Sequence, residues 1–322
     1  MYDLLQSFLR NKLLYSRPYL KKIDQDKRIL EIGPLSSPMV KKGDSVFYAD
    51  IRSTDEIKQF YKGHPIDENQ ICEIDYVVKD TYVKTFESVE KFDYVLASHV
   101  IEHIPKIIHF FHDIAAIMKK DALLCLTIPD KRYCFDHFRV CTSFAEAYNV
   151  YINNVEANPP RVFDCNLFAL GINDAAFFWG ENEFEKLLSQ TGPVDSAKAE
   201  YEKAVGGENV NAHYSVFTPE TFLLLLYGMT KASLLPFKCI DFYTTQPDTF
   251  EFNAVLQVAP DLLTEDYPEK QREMDRLADH LRLNRRSERA FRSLNSRAKN
   301  GLVRLLRKMK RAWEGNFHDA VF

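Results

Sequence analysis

The chain has 322 residues, 46% of them hydrophobic and 13% aromatic, with a net charge of −4, enough for one large domain or two small ones around a substantial core. No apolar run approaches the roughly 20 residues of a membrane-spanning helix, and no basic start leads into an apolar leader, so the expected location is the cytoplasm. The cysteines Cys72, Cys125, Cys134, Cys141, Cys165 and Cys239 form no C-x-x-C pair, which excludes a cysteine-based zinc site and points to reduced, structural thiols.

Residues 4–22, LLQSFLRNKLLYSRPYLKK, place apolar side chains at helical spacing up to Pro18, so 1–27 is expected to form a helical cap over the fold's entrance. The stretch 28–50, RILEIGPLSSPMVKKGDSVFYAD, then reads as a buried strand over 28–32, a tight turn and a second strand over 46–50. A dinucleotide-binding unit would carry G-x-G-x-x-G in that turn, so that backbone amides reach a pyrophosphate. Here Gly33 is followed by Pro34, Leu35, Ser36, Ser37 and Pro38. A ligand without a pyrophosphate is therefore expected behind the first strand.

Further strands are predicted at 71–78, 92–97, 122–128, 237–243 and 249–258, with helices near 55–62, 81–90, 105–119 and 218–231. This alternation predicts a parallel sheet, because each parallel step needs a crossover. The last two strands are joined by Q-P-D-T, too short for a helical crossover, and are expected to pair antiparallel. The fold class is thus α/β, a seven-stranded and mostly parallel sheet with an antiparallel last strand. Residues 130–217 occupy the place of a single crossover helix and are expected to be a substrate-side insertion. The expected domain spans 1–260, followed by a basic helical extension over 261–322.

Ligands of open α/β sheets sit beyond the carboxyl ends of the strands. Those ends offer Glu31, Gly33 and Pro34 after the first strand, Asp50 and Ile51 after the second, and Asp75 with Tyr76 at the third. Ser98 and His99 follow the fourth, and Asp130 follows the fifth. A carboxylate at Asp50 can accept both hydroxyls of a ribose or cap the next helix, and position alone leaves these level.

Taken together, RILEIG, FYAD, FDYVLASHVIEHIP and ALLCLTIPDKR resemble the Rossmann-like S-adenosylmethionine-dependent methyltransferases over residues 28–258. EIGPL and ASHVIEH…IPDKR look like a branch associated with bacterial surface-glycan biosynthesis. The resemblance implies S-adenosylmethionine as cofactor, with Glu31, Gly33 and Pro34 facing its methionine portion and Asp50 holding its ribose. It further implies Ile51, Asp75 and Tyr76 at the adenine, and Ser98, His99 and Ile101 against the sulfur end. The family's later glycines are replaced here by Pro34, Leu35 and Ser36, which makes close backbone approach harder. A non-catalytic, methyltransferase-like subunit is accordingly the alternative reading.

Methyl transfer to a hydroxyl requires a nucleophile in line with the methyl group and an acceptor for its proton, a task suited to histidine. His99 and His103 flank Glu102 in SHVIEH, and His213 precedes a helix start at Thr218-Pro219-Glu220. His213 is the first candidate for the base, because the end of the insertion is expected to return to the ligand edge. Some relatives hold a divalent metal with E-x-x-E-H at the SHVIEH position. Here His99 replaces the first acid, so a metal is the less favoured alternative to loop-orienting roles. Asp130, Lys131, Arg132, Asp136 and Arg139 either hold an anionic acceptor or pair with one another, and these readings stand level.

From Arg282 to Arg311 twelve Lys or Arg face one acid, Glu288, so the stretch carries +11 and the rest of the chain −15. Ala298, Leu302, Leu305, Leu306, Met309 and Trp313 form one helical apolar stripe. Residues 282–313 therefore suit an anionic membrane surface at its inner face or a homo-oligomer. No aromatic platform favours nucleic acid. The predicted activity is methyl transfer from S-adenosylmethionine to a hydroxyl of a saccharide or similar small polar acceptor.

Overall fold

The run Ile29–Ile32 is buried at every position and forms β1 in the centre of a sheet; both faces of a parallel sheet are covered, so its strands read as continuous apolar runs. The computed structural model describes residues 15–64, 66–171, 178, 187–208, 210–264 and 269–286. β2 (Val46–Asp50) leads into α1 (Thr54–Phe60), whose Ser53 cap and Glu56 form a capping box. Next come β3 (Tyr76–Val77), α2 (Tyr82–Thr85), β4 (Phe92–Ser98) and α3 (Ile107–Ile117), and α3 runs directly into the long β5 (Met118–Pro129).

Residues 130–217 contain α4 (Phe144–Ile152), α5 (Pro159–Phe168) and α6 (Val194–Val205). Helices α5 and α6 and the returning chain enclose a small core of Val162, Cys165, Ala204, Val210, Ala212 and Tyr214. The chain closes with α7 (Pro219–Lys231), β6 (Phe237–Tyr243) and β7 (Glu251–Val258). Thr218 caps α7 and Pro219 opens it.

The strand order is β3-β2-β1-β4-β5-β7-β6, with β7 antiparallel to both β5 and β6. Six strands therefore run parallel and the last is inserted against them, as the short Q-P-D-T link requires. One expectation is corrected. The predicted strand over 71–78 shrinks to Tyr76–Val77, because the preceding backbone bonds elsewhere. Cys72 N–H donates to the Leu35 carbonyl, and Ile74 N–H to Thr54 Oγ1. The chain divides into two compact units, 1–278 and 279–322. Of the predicted cap only residues from 15 onward are described, with a 3-10 turn at Pro18–Lys22. The apolar stripe of 298–313 lies outside the described residues, among which no helix is long and apolar enough to cross a membrane.

Gly228 of α7 tests how closely the insertion docks. A Cβ there would stand 2.7 Å from the Phe144 ring of α4. Alanine in a helix interior ordinarily gains about 1 kcal/mol over glycine. Gly228→Ala is instead expected to cost about 1–3 kcal/mol in urea unfolding, and a stabilised variant would show that α4 gives way freely.

Candidate active site

The turn after β1 is shaped by a carboxylate. Glu31, 2% exposed, accepts from the N–H of Met39 at 2.8 Å and of Val40 at 3.1 Å. Burial pushes its acid up to about 7 against those two hydrogen bonds. Gly33 takes φ +66 and Leu35 φ +45, both left-handed. Asp50 ends β2 half-buried, accepts the Arg52 N–H at 2.9 Å, and is followed by Ile51 at 45% exposure.

The structure moves Asp75 and Tyr76 off the ligand edge. With β3 reduced to two residues, Asp75 precedes the strand, where its carboxylate accepts the Tyr48 N–H at 2.7 Å and pairs with Lys42. Tyr76 packs against Phe47 and Phe86. The acid just past β3 is Asp80, exposed and paired with Lys84 at 2.6 Å.

β4 ends on half-buried Ser98, and beyond it Ile101 turns into the core at 1% exposure. His99 adopts φ +54. Its Nε2 meets Glu251 Oε2 at 2.9 Å, and its Nδ1 lies 3.5 Å from Glu102 Oε1. Glu251 also receives a bidentate grip from Arg17, at 2.9 and 3.0 Å. Burial opposes the imidazolium, but Glu102 and Glu251 outweigh it and raise His99 to about 9. Burial likewise works against the Glu251 carboxylate, which His99 and Arg17 hold well below the usual range.

A cavity of about 290 Å³ opens beyond the ends of β4 and β5, walled by Cys134, Phe135 and Phe250 and floored by Glu102, His103 and His213. The end of the insertion reaches it by backbone pairing, Ser215 N–H to the Glu102 carbonyl at 3.0 Å and Lys131 N–H to that of Phe217 at 2.9 Å. Asp136 Oδ2 holds His213 Nδ1 at 2.6 Å. Arg139, 1% exposed, spans the assembly, donating to Asp136 at 2.7 Å, to Asp164 at 2.9 Å and to the His213 carbonyl at 2.7 Å. His103 is half-buried, and burial lowers its pKa. It meets the His213 ring edge-on, centroids 4.6 Å apart.

The structure brings Asp136, His213 and His103 together at the cavity, with Arg139 behind them. Asp130 is fully buried, accepting from Arg132 Nη2 at 2.6 Å and Thr245 Oγ1 at 2.6 Å, and Lys131 opens the 3-10 turn Lys131–Tyr133. Sequence reasoning missed Arg17 and Glu251, for which no local motif exists: they meet across 234 positions.

A methyltransferase-domain family profile matches residues 5–226, and the chain belongs to this family of methyltransferase domains. No curated protein matches the chain. Among solved structures it is similar to the CurJ carbon methyltransferase at 11% identity and TM-score 0.33, covering 74% of this chain and 51% of that one. A SAM-dependent methyltransferase from Aquifex aeolicus shares 11% identity at TM-score 0.33, with 75% and 88% covered. Human N-acetylserotonin methyltransferase in complex with SAM shares 11% at TM-score 0.32, with 74% and 50% covered. The chain spans about half the length of the first and the last of these.

Replacing Glu251 by Gln leaves two half-buried cations, Arg17 and His99, without their shared anion. Glu251→Gln is expected to lose about 3–5 kcal/mol in urea unfolding at pH 7, and unchanged stability would refute the tie. His99 titrates in the folded chain at about 9 against an ordinary 6.5. Its share of the ion pair is therefore complete below about 6.5 and lost as pH rises through about 9, so the gap between variant and wild type should narrow there.

Proposed function

We propose that this chain transfers a methyl group from S-adenosylmethionine to a hydroxyl of a saccharide or similar small polar acceptor. The observation that carries the reading is the floor of buried Glu102 and His213 and half-buried His103, with Asp136 fixing His213, in a cavity at the carboxyl ends of β4 and β5. Membership of the methyltransferase-domain family supports the reaction class.

The residues present fit the cofactor. Gly33 supplies a bare stretch of backbone, where even a Cβ would stand 3.1 Å from Val100. Asp50 keeps acceptor capacity beyond the Arg52 N–H, enough for ribose hydroxyls. Ile51 offers an exposed apolar flank for an adenine face. When bound, the cofactor supplies an already activated sulfonium methyl.

The chain's own part is then to align the acceptor oxygen and draw off its proton. Phe135 and Phe250 line the cavity as apolar walls, and the acceptor's proton leaves past the floor of Glu102, His103 and His213 to solvent. His99, held protonated between Glu102 and Glu251, fixes the loop. The surface-glycan setting rests on the EIGPL and SHVIEH resemblance. The +11 charge of residues 282–311 supports an anionic membrane surface as the tail's partner, suiting an acceptor carried on lipid.

Titration calorimetry with S-adenosylmethionine tests the cofactor: micromolar binding, about −8 kcal/mol, is expected. Asp50→Ala should weaken it by about tenfold or more, the equivalent of about 1.4 kcal/mol; equal affinity would refute the assignment of the ribose acid. Labelled cofactor offered with saccharide acceptors should yield a methyl ether. Methyl transfer to nitrogen or carbon would overturn the acceptor class, and binding without any transfer would favour a non-catalytic subunit.

A further inference from the structure

Glu102 is 1% exposed, and neither of its carboxylate oxygens has a hydrogen-bond partner among the described residues. A buried carboxylate in that state forfeits several kcal/mol of solvation. His99 balances its charge from 3.5 Å, beyond ordinary N–H···O length, so the oxygens still lack donors. What faces them is two imidazoles. His213 has Nδ1 tied to Asp136, which leaves its Nε2 for another partner, and the His103 ring meets it edge-on with centroids 4.6 Å apart. One donor atom from each of Glu102, His103 and His213 lies within 4.8 Å of the others.

We infer that Glu102, His103 and His213 form a site for a divalent transition ion of the Zn²⁺ type, which takes the acceptor's hydroxyl oxygen at its open position; the catalytic part of this inference rests on the function proposed above. Carboxylate or backbone tethers on the far nitrogen of a ligating histidine are what fix its tautomer and aim its lone pair. Two imidazoles and one carboxylate suit Zn²⁺ and its neighbours, whereas Mg²⁺ and Ca²⁺ favour sets composed of oxygens. Zn²⁺ requires bonds of about 2.0–2.2 Å, so the three donors, within 4.8 Å of one another, draw in by side-chain rotation to hold it. The cavity leaves the remaining positions open.

An acceptor hydroxyl bound there loses its proton to solvent water, because the ion lowers its pKa. The oxygen then forms the bond to the methyl carbon while the carbon–sulfur bond breaks, and that electron pair stays on sulfur as a neutral thioether. His213 acts as a ligand, with Asp136 as the residue that positions it.

The test uses the full chain, stripped with chelator and then dialysed separately against Zn²⁺ and Co²⁺. Elemental analysis should find about one Zn²⁺ per chain, and the Co²⁺ form should show a visible ligand-field spectrum. Glu102→Gln and His103→Ala should each weaken Zn²⁺ binding by about tenfold or more, while binding S-adenosylmethionine as the wild type does. A wild type that retains no Zn²⁺ and shows no Co²⁺ spectrum overturns the site even where a variant fails to fold, as do folded variants with unchanged Zn²⁺ affinity. Cofactor titration of the metal-free protein separates the outcomes. Cofactor binding without Zn²⁺ removes the ion alone, whereas Zn²⁺ binding without cofactor removes the methyltransferase reading and leaves the ion site standing.

Discussion

Glu251 is the carboxylate on which the ligand edge depends. It opens β7, the strand inserted against the direction of the rest, and so presents its side chain at the carboxyl ends of the neighbouring strands. Arg17 and His99 both attach to it, which ties the segment before β1 and the loop after β4 to one anion. Further bonds fasten the same segment: Tyr19 Oη to Thr127 Oγ1 at 2.8 Å, and Asn253 Nδ2 to the Ser16 carbonyl at 2.6 Å. An antiparallel last strand is therefore more than a way to end the sheet. It delivers a buried anion to a position where a parallel strand would have brought its opposite end.

A buried cation does the same for the insertion. Arg139 is almost fully enclosed, and burying a guanidinium is costly unless its donors are met. Asp136, Asp164 and the carbonyls of Arg161 and His213 meet them. Because one of those carbonyls belongs to His213 and Asp136 also holds the His213 ring, backbone and imidazole are fixed from one hub. The charges gathered by IPDKRYCFDHFR are thereby spent largely on architecture that positions a histidine.

Much of this fold was legible because its signals are local. Largely apolar runs, broken by Glu31 in β1 and Asp93 in β4, mark those strands as ALLCLTI marks β5, Thr218-Pro219 marks the start of α7, and Q-P-D-T marks the antiparallel pair. The order of strands adds a ligand edge, and Asp50 falls on it. What was not legible depends on distant partners. ICEIDYVV has the composition of a strand, but its backbone is taken by Leu35 and Thr54, so Asp75 stands ahead of β3, accepting the Tyr48 N–H, instead of past its carboxyl end. The Arg17–Glu251 tie has no motif at either end. SHVIEH names His99, Glu102 and His103 together, and only the fold shows that all three line one cavity and that His99 is held there between Glu102 and Glu251.

The glycine-poor turn after β1 follows from the same logic. In a pyrophosphate-binding turn, glycines free the backbone so that its amides can point at the ligand. Here Glu31 takes the N–H groups of both Met39 and Val40, and Pro34 and Pro38 have none to offer. Amides committed to a buried carboxylate cannot cradle phosphate. The single glycine that remains, Gly33, is also the residue whose positive φ the turn requires before the chain passes Val100. The turn thus keeps one point of close backbone approach, at Gly33, and discards the anion cradle.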